Sequence, residues 1–255
     1  MKRLGILGGG QLGRMLIQTS LNYNIYTKVL DPDAEAPCHS LCNTFVQGSF
    51  DDYDTVVAFG QDVDILTVEI EHVNLAALRT LEQQGKIVFP QPDVLEIIQD
   101  KGAQKEFYVK HQIPTADFVL CAGLDEVKQY HGAFPVMQKL RRLGYDGKGV
   151  KKITSARELD SAFAEPSLLE KLIPFTKELA VIVARNERGD ITTYPTVEMK
   201  FHPEANLVEW LLAPARINAT LDKTAREIAM KLAEALQVVG VLAVEMFLTE
   251  AGEIL

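Results

Sequence analysis

Apolar runs alternate with amphipathic segments along the first third of the chain. The runs are short and end at glycine or proline, which is typical of strands, and the segments between them carry the apolar spacing of helices. Strands that alternate with helices predict a parallel sheet, and therefore a Rossmann-like α/β domain over residues 1–92. We predict strands at 3–7, 25–30, 62–70 and 86–89, a helix after the first strand with Leu12, Met15, Leu16 and Thr19 on its buried face, and a helix at 75–84.

The pattern changes after Pro90-Gln91-Pro92, and residues 93–255 are predicted to form a second domain that mixes helices and strands. A final hairpin is predicted to turn at Glu250-Ala251-Gly252. Because the chain stops at Leu255 inside this pattern, we expect its C-terminal part to be missing. The other predicted elements are a helix capped by Asp93 that runs to about His111, a strand at 134–139, a helix at 156–164, strands at 176–183 and 191–199, and an amphipathic helix at 221–237.

Composition narrows the class of protein. Of 255 residues, 47% are hydrophobic and 24% are charged, which is ordinary for a globular chain with a core. The formal net charge of -9 makes nucleic acid an unexpected partner. No apolar run approaches the ~20 residues that span a bilayer, so we expect no membrane partner and a cytoplasmic location. Three cysteines at low density do not predict a disulfide framework.

The first candidate ligand site is the glycine run from Gly8 to Gly13, which fits G-x-G-x-x-G between a strand and a helix. Asp31 ends the second strand, where an acid that binds ribose would lie. Taken alone, this pattern favours a dinucleotide-dependent oxidoreductase. Another phosphorylated metabolite would fit the same turn, and a tight turn without a ligand is a further reading.

The second candidate is the run from Lys139 to Gly149, KLRRLGYDGKG. It combines glycines, which let the backbone approach a ligand closely, with Lys139, Arg141, Arg142 and Lys148. A polyphosphate needs both backbone N–H donors and fixed positive charge. The alternative is a solvated hairpin with scattered cations.

VMQKLRRLGYDGKGV resembles the glycine-rich segment of the N5-carboxyaminoimidazole ribonucleotide synthase family, in the ATP-grasp superfamily. Further segments resemble that family in chain order: GILGGGQLGRML, TVEIEHV, SLLEKLIPFTKELAVIVAR, YPTVEMKF, LAPARI and GVLAVEMFLTEAGEIL. The resemblance covers essentially the whole chain. It implies a pre-ATP-grasp domain at 1–92, an α+β ATP-grasp domain at 93–255 with a lid subdomain at about 115–170, and a homodimer.

The same resemblance implies a reaction. It is the ATP-dependent carboxylation of 5-aminoimidazole ribonucleotide with bicarbonate, through carboxyphosphate, in purine biosynthesis. Lys139, Tyr145 and Asp146 are expected to be catalytic. The implied ATP ligands are Lys101 and Lys139 for the phosphates, Gly144, Tyr145, Asp146, Gly147, Lys148, Gly149 and Val150 in the closing loop, Glu170, Lys171, Leu172 and Ile173 in the adenine hinge, Glu178 for the ribose, and His202.

The candidate residues also include those expected to bind a metal ion and the substrate. Glu245 lies in an apolar strand, where a carboxylate is costly unless it is paired or bound to a metal, and the family's Mg²⁺ ligand falls there. Arg14 is a candidate for the ribonucleotide phosphate, with an ordinary surface arginine as the alternative. The implied substrate-binding residues are Gly10, Gln11 and Leu12 after the first strand and Glu69, Glu71 and His72 at the end of the third.

Three departures from the family pattern accompany these expectations. Leu143 replaces a common glycine, Phe201 fits the spacing of a family histidine better than His202, and a second metal-binding glutamate is expected only after Leu255. Three alternatives stay open: another ATP-grasp purine ligase, a Rossmann NAD(P)-binding oxidoreductase, and a non-catalytic nucleotide-binding fragment. YDGKG together with EIEHV favours the carboxylating enzyme.

Overall fold

The computed structural model describes residues 1–142, 144, 149–202 and 208–255, and it divides into two compact units, Met1–Glu96 and Ile97–Leu255. The sequence places this boundary after Pro92. The structural division lies further along because Leu95 is buried in the core of the first unit.

The first unit contains a five-stranded sheet whose strands all run parallel. In chain order these are β1 (Arg3–Leu7), β2 (Tyr26–Asp31), β3 (Thr44–Gln47), β4 (Ile65–Val68) and β5 (Ile87–Val88). Their spatial order is β3-β2-β1-β4-β5, so the predicted Rossmann-like domain is confirmed. The chain reverses direction across the sheet between β1 and β4, and in such sheets ligands bind where these two strands end.

Four helices belong to this part of the chain: α1 (Gln11–Ser20), α2 (Tyr53–Gly60), α3 (Leu75–Gln83) and α4 (Pro92–Ile98). The sequence pattern missed β3 and α2. The edge strand β3 has no fully buried residue, so its apolar signal is weak. Helix α2 carries Thr55-Val56-Val57, whose β-branched side chains favour strands, and it is stabilised by Asp52, which caps it by accepting a hydrogen bond from the Thr55 N–H.

The buried face predicted for α1 is wrong. Leu12 and Met15 are 66% and 62% exposed, and the buried residues are Gly13, Ile17 and Ser20. The reason is close packing at Gly13, where a Cβ would lie 3.0 Å from the sulfur of Cys38. The helix therefore packs Gly13 against Cys38 and buries Ile17, while Leu12, Met15 and Leu16 stay exposed.

The described residues of the second unit form two antiparallel sheets and several helices. The elements are α5 (Lys101–Lys110), β6 (Phe118–Cys121), α6 (Leu124–Lys128), β7 (Val136–Leu140), β8 (Val150–Ile153), β9 (Ser167–Lys171), β10 (Phe175–Arg185), β11 (Ile191–Thr193), β12 (Val197–Phe201), β13 (Val208–Leu212), α7 (Ala219–Leu236) and β14 (Gly240–Thr249). One sheet has the order β6-β9-β7-β8, and in the other sheet β11-β10-β12-β13 are neighbours while β14 pairs with β10. This arrangement confirms a second domain of the α+β class.

Three predicted elements differ in the structure. The long helix from Asp93 is two helices, because Asp100 caps α5 by accepting hydrogen bonds from the N–H groups of Gly102 and Ala103. The helix predicted at 156–164 is a 3-10 helix at Ala156–Ser161. The strand predicted at 191–199 is broken between β11 and β12, since Thr196 directs its N–H and its hydroxyl to Asp222.

The C-terminal elements match the prediction. Helix α7 buries Ala225, Ala229, Leu232 and Ala233. After β14 the chain turns at Gly252, whose φ of +81° favours glycine, and Leu255 pairs with Phe247 through both backbone hydrogen bonds. None of the helices in the described part of the chain is both long and apolar enough to cross a bilayer.

An ion cluster around the buried Glu198 ties β10 and β12 to the segment that precedes α7. Glu198 accepts hydrogen bonds from Lys177 at 2.7 Å and from the Arg216 side chain at 3.2 Å. Burial alone would raise the pKa of Glu198, but these two cations lower it from 4.5 to about 2. A carboxyl whose folded pKa is depressed stabilises the fold above its unfolded pKa, and this stabilisation is lost as the pH falls towards the folded pKa.

Replacing Glu198 by glutamine is therefore expected to lower the free energy of unfolding by about 2 kcal/mol at pH 6, after allowance for the solvent around Arg216. At pH 3 the difference between the two proteins should be much smaller. Urea unfolding at both pH values measures this, with Glu187→Gln in an exposed turn as the matched control. A difference that does not shrink between pH 6 and pH 3 would contradict the assigned ion cluster.

Candidate active site

A cavity of about 390 Å³ lies in the second unit, between its two sheets. Its size is in the range of small-molecule sites, ~300–1,000 Å³. Charged side chains from α5 and from strands of both sheets line the cavity. They are Lys101 and Lys105 from α5, Lys139 from β7, Glu170 from β9, Glu178 from β10 and Glu245 from β14.

Helix α5 forms one wall of the cavity. Lys101, Gln104, Lys105 and Tyr108 all line it. Their spacing of three and four residues places them on a single face of the helix. The Lys101 ammonium donates a hydrogen bond to the Gly144 carbonyl at 3.1 Å. Lys101 was predicted to contact phosphate and does line the cavity, whereas Lys105 was missed.

Two lysines and one glutamate form the most buried ionic contact of the cavity. The Lys139 ammonium lies 2.5 Å from Oε1 of Glu170, and the Lys105 ammonium contacts Oε2 of the same carboxylate. Lys105 also donates to the Thr115 hydroxyl at 2.5 Å. Only 6% of the Glu170 side chain is exposed. The strand predicted at 134–139 is β7, and it places Lys139 in the cavity.

Electrostatics favours the ionised form of Glu170. Burial alone would raise the pKa of Glu170, but the charges of Lys139 and Lys105 hold it below its ordinary value. Burial lowers the pKa of Lys105, and Glu170 offsets only part of that effect. The sequence assigned Glu170 a backbone contact in the adenine hinge. That backbone contact stays a prediction, and the side chain is the counter-charge that both lysines share.

Two carboxylates lie together on the opposite wall. Glu178 is paired with Phe247 and Ala180 with Glu245, so Glu178 and Glu245 lie on the same face of two adjacent strands. Burial raises the pKa of Glu178, and the charge of Glu245 raises it further. A cation bound beside them would relieve this repulsion.

The carboxylate of Glu245 fits a magnesium ion. Among the residues that the structure describes, no group of three or more His, Cys, Asp or Glu side chains is placed to hold a metal by itself. Mg²⁺ does not require such a group, because it usually keeps several waters and binds one or two carboxylates together with substrate phosphates. The single carboxylate of Glu245 meets that requirement, with Glu178 beside it.

Other predicted ATP ligands lie away from the cavity walls. Lys171, Leu172, Ile173 and His202 do not line the cavity, and Met199 is the side chain that β12 contributes. The Lys171 N–H donates to the Asp117 carbonyl at 2.9 Å. Adenine contacts through the hinge backbone, and a role for His202, therefore stay predictions.

The glycine-rich loop begins and ends in described residues. The Leu140 N–H donates to the carbonyl of Gly149, whose φ of +72° favours glycine, and Val150 pairs with Lys139. Arg141 holds both oxygens of Asp100 at 2.8 Å, so its charge anchors the loop to α5. The predicted roles of Tyr145, Asp146, Gly147 and Lys148 fall on positions outside the described residues.

In the first unit, the predicted substrate residues follow neighbouring strands. Gly10, Gln11 and Leu12 come after β1, and Glu69, Glu71 and His72 come after β4. The Glu69 side chain lies against the glycine turn, because a Cβ at Gly10 would be only 2.5 Å from Oε1 of Glu69. Arg14 is exposed, as are Gln11, Leu12 and Glu71.

This glycine turn does not suit a dinucleotide. The Gly9 N–H donates to Oδ2 of Asp31 at 2.6 Å, and Oδ1 of Asp31 accepts from the Asp33 N–H. Asp31 is thus occupied by the backbone instead of being available to a ribose. The carboxylate of Glu69 lies against the same turn and would repel the negative charge of a pyrophosphate bound there. The geometry therefore argues against the oxidoreductase alternative.

Family models agree with this architecture. Residues 1–99 match the ribonucleotide synthetase preATP-grasp domain, and residues 106–255 match the ATP-grasp domain. The first unit is Rossmann-like, and the two antiparallel sheets of the second enclose a cavity lined by lysines and carboxylates. This combination defines an ATP-grasp protein.

Similar proteins narrow the class. The N5-carboxyaminoimidazole ribonucleotide synthetase of Thermotoga maritima has a TM-score of 0.89 and 39% identity, with 100% of this chain and 67% of that chain covered. The chain belongs to the N5-carboxyaminoimidazole ribonucleotide synthase family. An Aspergillus clavatus N5-carboxyaminoimidazole synthase, solved with ADP and 5-aminoimidazole ribonucleotide, has a TM-score of 0.89 and 32% identity, with 100% of this chain and 68% of that chain covered.

Curated relatives are longer than this chain. The chloroplastic phosphoribosylaminoimidazole carboxylase of Vigna aconitifolia is 41% identical over 258 residues, which is 99% of this chain and 46% of that protein. The chain thus spans about half the length of such relatives.

Proposed function

We propose that this protein uses ATP and bicarbonate to carboxylate 5-aminoimidazole ribonucleotide, forming N5-carboxyaminoimidazole ribonucleotide in purine biosynthesis. The observation that carries the proposal is the cavity in which Lys139 and Lys105 share the buried Glu170 opposite Glu178 and Glu245. The cavity offers fixed positive charge for phosphates and carboxylates for a metal ion or hydroxyl groups. The ADP and ribonucleotide bound by the Aspergillus clavatus relative support the choice of ligands.

The proposed chemistry has two steps. A bicarbonate oxygen attacks the γ-phosphorus of ATP, the bond to the β-phosphate oxygen breaks, and carboxyphosphate and ADP form. The exocyclic amine of the ribonucleotide then attacks the carboxyl carbon, loses a proton, and displaces phosphate. Phosphoryl transfer is catalysed mainly by positioning and by charge, which Lys101 and Lys139 are placed to supply.

Glu245 is the proposed Mg²⁺ ligand, and Glu178 is proposed to bind the ribose hydroxyls. Mg²⁺ would neutralise negative charge on the phosphates during transfer. Its positive charge beside Glu245 would also offset the repulsion that raises the pKa of Glu178. The carboxyl ends of β1 and β4, with Glu69 against the glycine turn, are the proposed binding site of the ribonucleotide, because a carboxylate accepts hydrogen bonds from amine donors.

Assembly and location are also proposals. A cytoplasmic homodimer is expected from the family resemblance. Size-exclusion chromatography with light scattering measures the oligomeric state.

The function is tested by measuring ADP release from ATP in the full-length protein, with and without bicarbonate, Mg²⁺ and 5-aminoimidazole ribonucleotide. ADP release should require bicarbonate and Mg²⁺ and should increase with the ribonucleotide, and label from ¹⁴C-bicarbonate should enter an acid-labile product. Release that requires formate instead of bicarbonate would indicate another purine ligase. Absence of ADP release, or NADH consumption, would refute the proposal.

A further inference from the structure

Lys105 is a cavity-lining lysine whose ligand-binding role the sequence patterns do not indicate. Only 14% of its side chain is exposed, and its ammonium contacts Glu170 and the Thr115 hydroxyl. It follows Lys101 by one helical turn on α5, so both lysines are on the same face of the helix and line the same cavity. The burial of this charged side chain in the cavity therefore requires a physical explanation.

The charges of the cluster do not balance. Lys139 and Lys105 each contact one oxygen of Glu170, so two ammonium groups share a single carboxylate. Desolvating an ammonium group costs free energy, and burial therefore lowers the pKa of Lys105. The ammonium group of Lys139 alone would neutralise the charge of Glu170, so neutralisation does not explain the presence of Lys105. The part of the wall formed by α5, β7 and β9 thus carries three ammonium groups and one carboxylate, and local excess positive charge in a half-buried site favours an anion.

Geometry also favours a ligand role for Lys105. Its ammonium lies next to that of Lys139 across the Glu170 carboxylate, and Lys139 is on the strand that begins the glycine-rich loop. Two neighbouring ammonium groups match the paired oxygens of a di- or triphosphate. Glu170 holds both groups in place before a nucleotide arrives, which lowers the entropic cost of binding.

We propose that Lys105 is a further polyphosphate-binding residue of this cavity, which shares Glu170 with Lys139 in the free protein and contacts the phosphates when a nucleotide binds. The inference rests on the proposed function, since it requires ATP to bind in this cavity. It adds a phosphate contact to those implied for Lys101 and Lys139.

The test compares ligands that differ only in phosphate. ADP with Mg²⁺ is titrated calorimetrically into the wild-type chain and into Lys105→Met, and adenosine binding is followed by NMR. The ADP affinity of Lys105→Met should fall about tenfold while its adenosine affinity is unchanged, because a charge-assisted hydrogen bond to phosphate is lost. Lys105→Arg, which keeps the charge, should stay within about threefold of the wild type.

Lys110→Met is the matched control, because Lys110 is exposed in the last turn of the same helix and does not line the cavity. Its ADP affinity should equal that of the wild type. If Lys105→Met unfolds at the temperature of the titration, Lys105→Gln, which keeps a donor for Thr115, replaces it under the same criteria.

The outcomes separate the inference from the proposed function. A wild-type chain that binds neither ADP nor ATP would refute nucleotide binding in this cavity, and the role of Lys105 with it. A wild-type chain that binds ADP, with a Lys105→Met variant of equal ADP affinity, would overturn the Lys105 inference alone. Equal losses for ADP and adenosine would show that Lys105 shapes the cavity without contacting phosphate, which also overturns the inference.

Discussion

Replacing Lys139 by alanine is expected to weaken ADP binding about 50-fold, or roughly 2 kcal/mol, while the protein stays folded. Lys139 lines the cavity, and its ammonium is held 2.5 Å from Glu170 at the start of the glycine-rich loop. The fold should survive because Lys105 still pairs with Glu170 in the variant. Calorimetric titration with ADP and Mg²⁺ measures the affinity, and circular dichroism on heating measures the fold.

Lys152→Ala is the control for this prediction. Lys152 is an exposed lysine on the adjacent strand β8, and it does not line the cavity. Its removal should leave ADP affinity unchanged. If Lys139→Ala bound ADP as tightly as the wild type, the assignment of Lys139 to the phosphates would be wrong.

Replacing Glu170 by glutamine is expected to lower the free energy of unfolding at pH 7 by about 3 kcal/mol, the largest stability change that we predict. The substitution preserves shape but leaves two adjacent ammonium groups without a counter-charge, and only 14% of the Lys105 side chain is exposed. Urea unfolding measures the change. Glu165→Gln, at an exposed position shortly before β9, is the control and should stay within about 0.5 kcal/mol of the wild type.

The penalty in Glu170→Gln should also depend on pH. Burial and the neighbouring Lys139 charge lower the pKa of Lys105 in the folded protein, and the loss of Glu170 would lower it further. Between the folded and unfolded pKa values the unfolded state binds more protons, so the stability of the variant rises as the pH rises. The deficit relative to the wild type should therefore be smaller at pH 9.5 than at pH 7. An unchanged deficit would contradict the assignment of Glu170 as the counter-charge of Lys105.

Some local elements were predictable because one strong signal determined each of them. The apolar run at Arg3–Leu7 before the glycines and the amphipathic pattern of α7 both formed as expected. The error in α1 has a definite cause. Its apolar spacing favours the face of Leu12, Met15 and Leu16, but the close approach of Gly13 to Cys38 buries the face that carries Gly13 and Ile17.

The candidate site also contains residues that the sequence indicated and contacts that it did not predict. Lys101, Lys139, Glu178 and Glu245 were named through resemblance and do line one cavity. The ion cluster was not predicted, because Lys139 and Glu170 are 31 residues apart in the chain and meet only through the pairing of β7 with β9. A lysine such as Lys105 gives no sequence signal of its own, since exposed helical lysines look the same.

The sequence by itself determined the family, the order of the two domains and the residue types available for phosphate, metal and substrate. Short-range spacing and a distinctive glycine-rich segment are sufficient for that. Only the tertiary structure decided which charges share a carboxylate, that Asp31 is occupied by the Gly9 N–H, and that Arg141 anchors α5. The physical reason is that the pKa and availability of a charged group depend on burial and on its neighbours in space, which chain spacing does not encode.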